Sequence, residues 1–449
     1  SLSLYAKADA YDRETKNRNI QTNRYDIAHP ENTYEVSEKV IREQNTTVRN
    51  GNLHLGYIEP LAENHYLEVE TNLRFSAQSE YTDQAKYVDE ILQSPLIYSL
   101  EYSKTDLEGG VYYQMDKEKL TLNLGGTISS QVQQLGLSDF DEQVNRFTNF
   151  LPRLGIDYRP KKGRTFKLQF ARSLRLPSMQ QLNPVLNDFN SLFIYQGNPE
   201  LKPENHYATS GIYVGQNLSK RFHMLARLTY RYKDNSIVRT EFTDPTGVRT
   251  SSYQNLGDQN QLGLILNVSK SLPKPNIRCH MGLQGRYSEY LSVINELNNE
   301  TRTKSGSLNL SLENDLKERL DWMVGGTWKK NYTIFSSGNN ADRSYFQQTY
   351  FLMLDWTIAK RFNLLSQFKY DLYTDTNFGT DQSVPVWNAS LSYSLLKQKN
   401  LRIQLTAFDL LNQNVGITRT SSDNFFEEMQ QEILGNYFLL HLTYEFRKH

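Results

Sequence analysis

Apolar and polar residues alternate with a period of two along almost the whole chain, while helix-period runs with caps are nearly absent. The last run is the clearest. Phe438, Leu440, Leu442, Tyr444 and Phe446 fall on one face, and Tyr437, Leu439, His441, Thr443, Glu445 and Arg447 on the other. The same split sets Phe222, Met224, Ala226, Leu228 and Tyr230 against His223, Leu225, Arg227, Thr229 and Arg231. It recurs at Leu120/Leu122/Leu124, Phe166/Leu168/Phe170, Leu262/Leu264/Leu266/Val268, Leu308/Leu310/Leu312 and Phe362/Leu364/Ser366/Phe368/Tyr370. These runs predict strands of roughly 12 to 16 residues, against about 5–6 in ordinary soluble sheets.

The breaks between runs alternate in length. Short ones fall near Glu63-Asn64, Lys117–Lys119, Lys161–Gly163, Ser219-Lys220, Pro273–Pro275, Lys317–Arg319, Ala359–Arg361 and Lys397–Lys399. Longer polar stretches lie between them, at 13–46, 80–95, 135–148, 176–203, 236–251, 290–302, 334–344, 375–383 and 414–431. Short turns on one side and long loops on the other are the pattern of a bacterial outer-membrane barrel. Hydrocarbon satisfies no backbone N–H or C=O, so a spanning sheet closes on itself, and a wet lumen accepts the polar face. The expectation is an all-β, transmembrane, antiparallel up-and-down barrel forming a single domain over 1–449, with about eighteen strands. They run from 1–12, 48–59 and 65–79, through 252–271, to 400–413 and 432–447, with 33–44 a further strand or a hairpin above the membrane.

The four tryptophans provide a check. Trp322 and Trp356 stand near short turns, Trp328 and Trp387 farther from them, and all four are in the apolar register. Ten residues of tilted strand climb roughly 23 Å, close to the apolar band of about 25 Å, so the two pairs are expected to form an aromatic girdle at its two edges.

Composition changes this picture little. Mean hydropathy is −0.65 and 38% of residues are hydrophobic, which alternation explains without a water-soluble fold. The 29 Tyr and 21 Phe exclude a disordered chain. Fifty basic and fifty acidic residues cancel, which argues against a nucleic-acid partner. The single Cys279 excludes a disulfide framework; sharing a register with Ile277, Met281 and Leu283, it is expected to face lipid.

Residues 172–204 carry a more specific signal. Arg175 and Pro177 are followed, after a spacer, by Gly197, Asn198, Pro199, Leu201, Pro203 and Glu204. This resembles the mid-barrel signature of TonB-dependent outer-membrane receptors, and more closely the outer-membrane protein β-barrel family. Asp106-Leu-Glu-Gly-Gly-Val-Tyr-Tyr, Gly125-Gly126 and Gly56-Tyr57 before a short turn fit that pattern. Leu442, Tyr444 and Phe446 resemble the terminal strand read by barrel-assembly machinery. Read without the family, Gly197 permits positive φ, Asn198 before proline favours extended backbone, and Pro203 suits a strand start, so a rigid connector is expected rather than a ligand contact.

The resemblance implies a barrel of twenty-two strands with an N-terminal plug and a TonB-contacting box, of which this sequence holds the C-terminal barrel portion. It implies uptake of a scarce small molecule, such as a siderophore, glycan or peptide, with TonB acting through the N-terminal part. The alternatives are a passive porin, and a non-transport barrel serving as platform for a surface lipoprotein or secretion partner. The sequence holds no HExxH, GxSxG, P-loop or dinucleotide glycine motif, so no catalytic residue, metal site or cofactor is expected. Of the eight His, none has metal-ligand spacing; His223, His280 and His441 are expected to line the lumen. Asp139, Asp141 and Glu142 could bind Ca²⁺ in a loop but read first as a solvated acidic loop. Arg74, Lys167, Arg227, Arg231, Lys369 and Arg402 fall on inward faces, where they could shape a lumen potential or hold a plug. Phe189, Phe193 and Tyr195 mix aromatic and polar character in one of the long loops, which suits either ligand stacking or loop packing.

Overall fold

The computed structural model describes residues 3–28, 33–93, 95–138, 142–315, 319–336, 342–375, 382–396, 400–421, 426–432 and 434–446. The chain opens with β1 (Ser3–Ala28), β2 (Thr33–Ala62) and β3 (His65–Val88), followed by the two-residue β4 (Ile91–Leu92). Then come β5 (Leu96–Lys117), β6 (Leu120–Leu137), β7 (Gln143–Lys161) and β8 (Arg164–Arg175). A one-turn helix, α1 (Met179–Leu182), and the short β9 (Asn187–Asn190) and β10 (Phe193–Tyr195) precede β11 (Glu204–Asn217) and β12 (Phe222–Asp234). The hairpin β13 (Ile237–Thr243) and β14 (Arg249–Asn255) leads into β15 (Gln259–Leu272), β16 (Ile277–Ile294), β17 (Leu297–Asn314) and β18 (Leu320–Phe335). The chain continues with β19 (Arg343–Ala359), β20 (Phe362–Asp375), β21 (Gln382–Leu395) and β22 (Leu401–Phe408). A separate hairpin of β23 (Val415–Ser421) and β24 (Phe426–Glu432) precedes the last strand, β25 (Tyr437–Tyr444).

Eighteen of these strands form an up-and-down antiparallel wall, each pairing with the next wall strand in sequence. That is the architecture the alternation predicts, and the strand number agrees. Several wall strands, β1, β2, β3 and β7 above all, are longer than predicted, whereas β12, β22 and β25 are shorter. Of the stretches expected as loops, much of 13–46 is a continuation of β1 and β2, paired from Ser3↔Ile58 to Ala28↔Thr33. Residues 33–44 are the far half of β2. Most of 290–302 likewise belongs to β16 and β17, which turn at Asn295-Glu296 with φ of 48° and 67°. That pair of left-handed residues is the two-residue hairpin turn whose twist matches the strands, so the ladder has no reason to stop earlier. The 26 residues of β1 extend roughly 80 Å and number more than twice the 9–11 a spanning strand needs. The expected strand 252–271 is instead broken between β14 and β15, where Gly257 has φ +58°. The turns near 317 and 398 fall largely outside the described residues.

Burial runs opposite to that of a soluble protein. On β6, Ile128 is 59% exposed while its neighbour Ser129 is fully buried. Thr127, Gln131 and Gln133 share the face of Ser129, whereas Leu124 is exposed beside Ile128. Leu107, Val111, Leu228, Leu310 and Leu352 are exposed on the same apolar face of their strands. No water-soluble sheet leaves so many apolar side chains exposed while burying Gln and Ser.

Gly125 is fixed by packing. It pairs with Tyr112, whose ring lies over it, and a Cβ there would stand 2.3 Å from the Val111 carbonyl oxygen and 2.5 Å from Cδ1 of Tyr112. Gly125→Val is expected to destabilise the wall by about 1–3 kcal/mol, as overpacking does elsewhere. Gel-shift heat modifiability would show a lowered unfolding temperature, with Gly51→Val, where nothing lies within 4 Å of the Cβ position, as the control.

Candidate functional site

β8 ends at Arg175, and the chain then crosses the polar face of the wall instead of turning straight back. Pro177 is buried, and its carbonyl accepts hydrogen bonds from the Tyr102 hydroxyl (2.9 Å) and Gln133 Nε2 (3.0 Å). Ser178 caps α1 through a capping box with Gln181. This fixes the helical turn so that Met179 and Leu182 pack onto Leu100, Tyr102, Leu135 and Leu137, with Leu201 completing the cluster. Each buried Leu or Met there contributes about 1.5–3 kcal/mol toward holding the segment down.

The return leg contains the rest of the signature. The Gly197 N–H donates to Asn183 O (2.8 Å), and the Asn198 N–H to Gln181 O (2.7 Å). A Cβ on Gly197 would lie 2.6–2.7 Å from three backbone atoms of Asn183 and Gln181, so only glycine fits. Asn198 Oδ1 accepts from the Glu200 N–H (2.9 Å), and its Nδ2 donates to Tyr253 O (3.1 Å). The carbonyls of Pro199 and Pro203 accept from Gln143 Nε2 (2.9 Å) and Asn235 Nδ2 (3.0 Å). Glu204, paired with Arg175 in register, is buried; it accepts from the Ile237 N–H (2.8 Å) and contacts His206 Nε2 (3.1 Å) and Arg175 (4.0 Å). The structure therefore brings all eight signature residues to the two ends of one folded segment.

Two further anchors hold this cap. Arg42 Nη2 donates to Asn187 Oδ1 (2.8 Å), and its guanidinium lies 4.7 Å from the centre of the Phe189 ring. Gln84 donates to Asp188 (2.8 Å), and Lys86 stands between Asp188 (3.4 Å) and Glu38 (3.5 Å). On the other side β10 pairs in parallel with β14. The Tyr195 hydroxyl donates to Gln180 O (2.7 Å), and burial pushes that phenol far above its usual range, so it stays a donor. Of the loop aromatics, Phe189 and Tyr195 serve the packing of the cap and Phe193 is exposed. Sequence reasoning missed Arg42, Gln84, Tyr102 and Gln133. Arg42 and Gln84 fall in stretches read as loops; Tyr102 and Gln133 lie in predicted strands, but nothing in the sequence links Tyr102 to a carbonyl 75 residues away.

Beneath the Pro177 turn lies a cavity of about 750 Å³ lined by Arg74, Tyr102, Asp106, Glu108, Gln131 and Arg175. Arg74 bridges Asp106 (2.7 Å) and Glu108, and Asp106 also accepts from Ser129 (2.8 Å) and Gln131 (3.1 Å). Lys167 is paired with Asp157 (2.8 Å) and Lys369 with Asp371 (2.6 Å). His280 contacts Glu313 (3.1 Å), and His223 lines a cavity with it. Among the described residues no group of three or more His, Cys, Asp or Glu could hold a metal. Asp139 to Asp141 lie outside the described residues.

On the apolar face, Trp328 packs edge-on against Tyr350, and Trp387, 40% exposed, pairs with Phe368. Trp356, 45% exposed, pairs with Leu320, and Trp322 with Leu354. Trp322 and Trp328 are six residues apart, roughly 20 Å of strand. Leu442, Tyr444 and Phe446 are exposed at the end of the wall.

The model of the outer membrane protein beta-barrel family matches residues 2–332 and 293–444. A search of curated proteins gave no match. Among solved structures, the copper transporter OprC is similar at a TM-score of 0.42 and 10% identity, covering 99% of this chain and 81% of that one. FpvA of P. aeruginosa, bound to heterologous pyoverdines, is similar at 0.47 and 11%, covering 97% of this chain and 54% of that one. The siderophore receptor PirA of Pseudomonas aeruginosa is similar at 0.36 and 11%, covering 89% and 74%.

Proposed function

Because this chain belongs to the outer membrane protein beta-barrel family and so to the bacterial outer membrane, we propose that it forms the barrel portion of a TonB-dependent receptor importing a scarce small molecule. The observation that carries the reading is the cap. The signature segment Arg175–Glu204 folds across the polar face, and a 750 Å³ cavity of mixed polar and apolar lining lies beneath it. A plain wall strand and turn would leave neither. In this reading the apolar face meets lipid, 1–449 acts as one barrel domain, the cap and neighbouring loops hold the ligand, and TonB acts through a plug. The chemistry is binding and passage, with no bond made or broken.

The test is growth of the native host without the gene, in media limited in turn for iron, glycan and peptide. A defect in one medium that is matched by deletion of TonB is the expected result. A defect that a TonB deletion does not reproduce points to a porin. Normal growth in every medium, with loss of a surface lipoprotein, points to a platform.

A further inference from the structure

The inward cations are not all treated alike. Arg74, Lys86, Lys167, Arg278 and Lys369 each stand within 4.0 Å of a carboxylate. A second cavity, of about 870 Å³, breaks the pattern. Arg227, Arg231, Arg286, Lys329 and Lys330 line it, and no Asp or Glu does. Among the described residues no carboxylate lies within ion-pair distance of Arg227, Arg286 or Lys329. Arg231 donates to the neutral Gln261 (3.0 Å). Glu68 and Glu70 belong to the adjoining cavity, which shares Arg227 and Arg231.

The register shows how the cations come together. Arg227 on β12 and Lys329 on β18 lie in one row, through Ile265, Gln284 and Ser307. Arg286 on β16 lies midway between them and two residues higher, in the row of Gly263 and Ser305. With strands about 4.8 Å apart, Arg286 is roughly 12 Å from each at the backbone, a gap that an anion bearing more than one charge can span. Beside Gly263 the Thr229 hydroxyl fills the row, adding another neutral hydrogen-bonding group to the wall. All three basic side chains are exposed to the cavity, and Ser305, Ser307, Gln284 and Asn331 supply neutral hydrogen-bonding groups around them.

In a chain of zero net charge, a cavity wall with cations alone is a site waiting for an anion. We propose that Arg227, Arg286 and Lys329 bind a small anionic solute, one bearing phosphate, carboxylate or sulfonate groups, on the inner wall. The inference rests on the import reading only for the claim that this anion is cargo; binding itself needs neither TonB nor a plug.

The full chain in detergent micelles, with the trisulfonated dye pyranine as probe, tests this by fluorescence anisotropy. Wild type is expected to bind pyranine, more weakly as salt rises. The triple variant Arg227→Gln/Arg286→Gln/Lys329→Gln is expected to lose roughly tenfold or more in affinity, the size of one lost charge-assisted hydrogen bond. The double variant Lys167→Gln/Lys369→Gln, at cations already paired, is expected to bind as wild type. Heat modifiability confirms that each variant is folded. Two results would overturn the proposal: triple and double variants that bind alike, or a wild type that binds no pyranine, which would leave the patch to an acidic protein surface. Intact pyranine binding together with TonB-independent growth would sink the import reading alone.

Discussion

Leu201→Asp is expected to release the cap while leaving the wall folded. Leu201 is 2% exposed and sits among Leu100, Tyr102, Leu135, Leu137, Met179 and Leu182. Truncating a leucine at such a site costs about 2–5 kcal/mol, and burying an unpaired carboxylate costs several more. The wall does not depend on this cluster, because its strands are held by continuous ladders on both sides of β5 and β6. The segment should therefore lift as a unit from Pro177 to Pro203. Chymotrypsin should then cut at Phe189 and Tyr195, which wild type should resist, and hydrogen exchange should rise across 179–201. Leu201→Met, which conserves volume and apolarity, should behave as wild type. Equal protection of wild type and Leu201→Asp would mean that the apolar cluster does not hold the cap.

A pair of arginine substitutions three residues apart should have opposite outcomes. Leu310, 40% exposed, faces outward from β17, and Ser307 lines the inner cavity. Leu310→Arg is expected to cost about 2–4 kcal/mol, as for arginine near the bilayer midplane of other barrels, whereas Ser307→Arg places its guanidinium in water. Guanidinium titration of folding into phospholipid vesicles reads the difference directly. Similar losses for both would mean that the exposed leucines meet something other than hydrocarbon.

The eighteen wall strands were legible in the sequence because the signal is local. A side chain every second residue is either apolar or polar, and a wall with lipid on one face and water on the other repeats that choice at each position. Strand ends were less legible. Residues 13–46 carry no lipid-facing stripe, so they read as loop, yet β1 and β2 pair through them because backbone hydrogen bonding continues wherever the register is unbroken. The signature segment was legible as a rigid connector, since Pro199 and Pro203 restrict the backbone and Gly197 allows a close approach, but not in its direction. A turn at Arg175 can lead outward or across the wall, and the choice depends on Tyr102 and Gln133, far away in sequence, meeting the Pro177 carbonyl.

The inner cations divide in the same way. Arg74, Lys167, Arg227, Arg231 and Lys369 were readable as inward-facing. Only the pairing of strands shows that Asp106 stands opposite Arg74 and Asp157 opposite Lys167, while Arg227 faces Ile265 and Ile212. By itself the sequence determined which side of each strand meets lipid and which meets water, because that depends on one residue at a time. Only the tertiary structure decided where the cap lies and which charges are neutralised. Those depend on which strand lies beside which, and two side chains distant in sequence interact only after the ladder has brought them within a few ångströms.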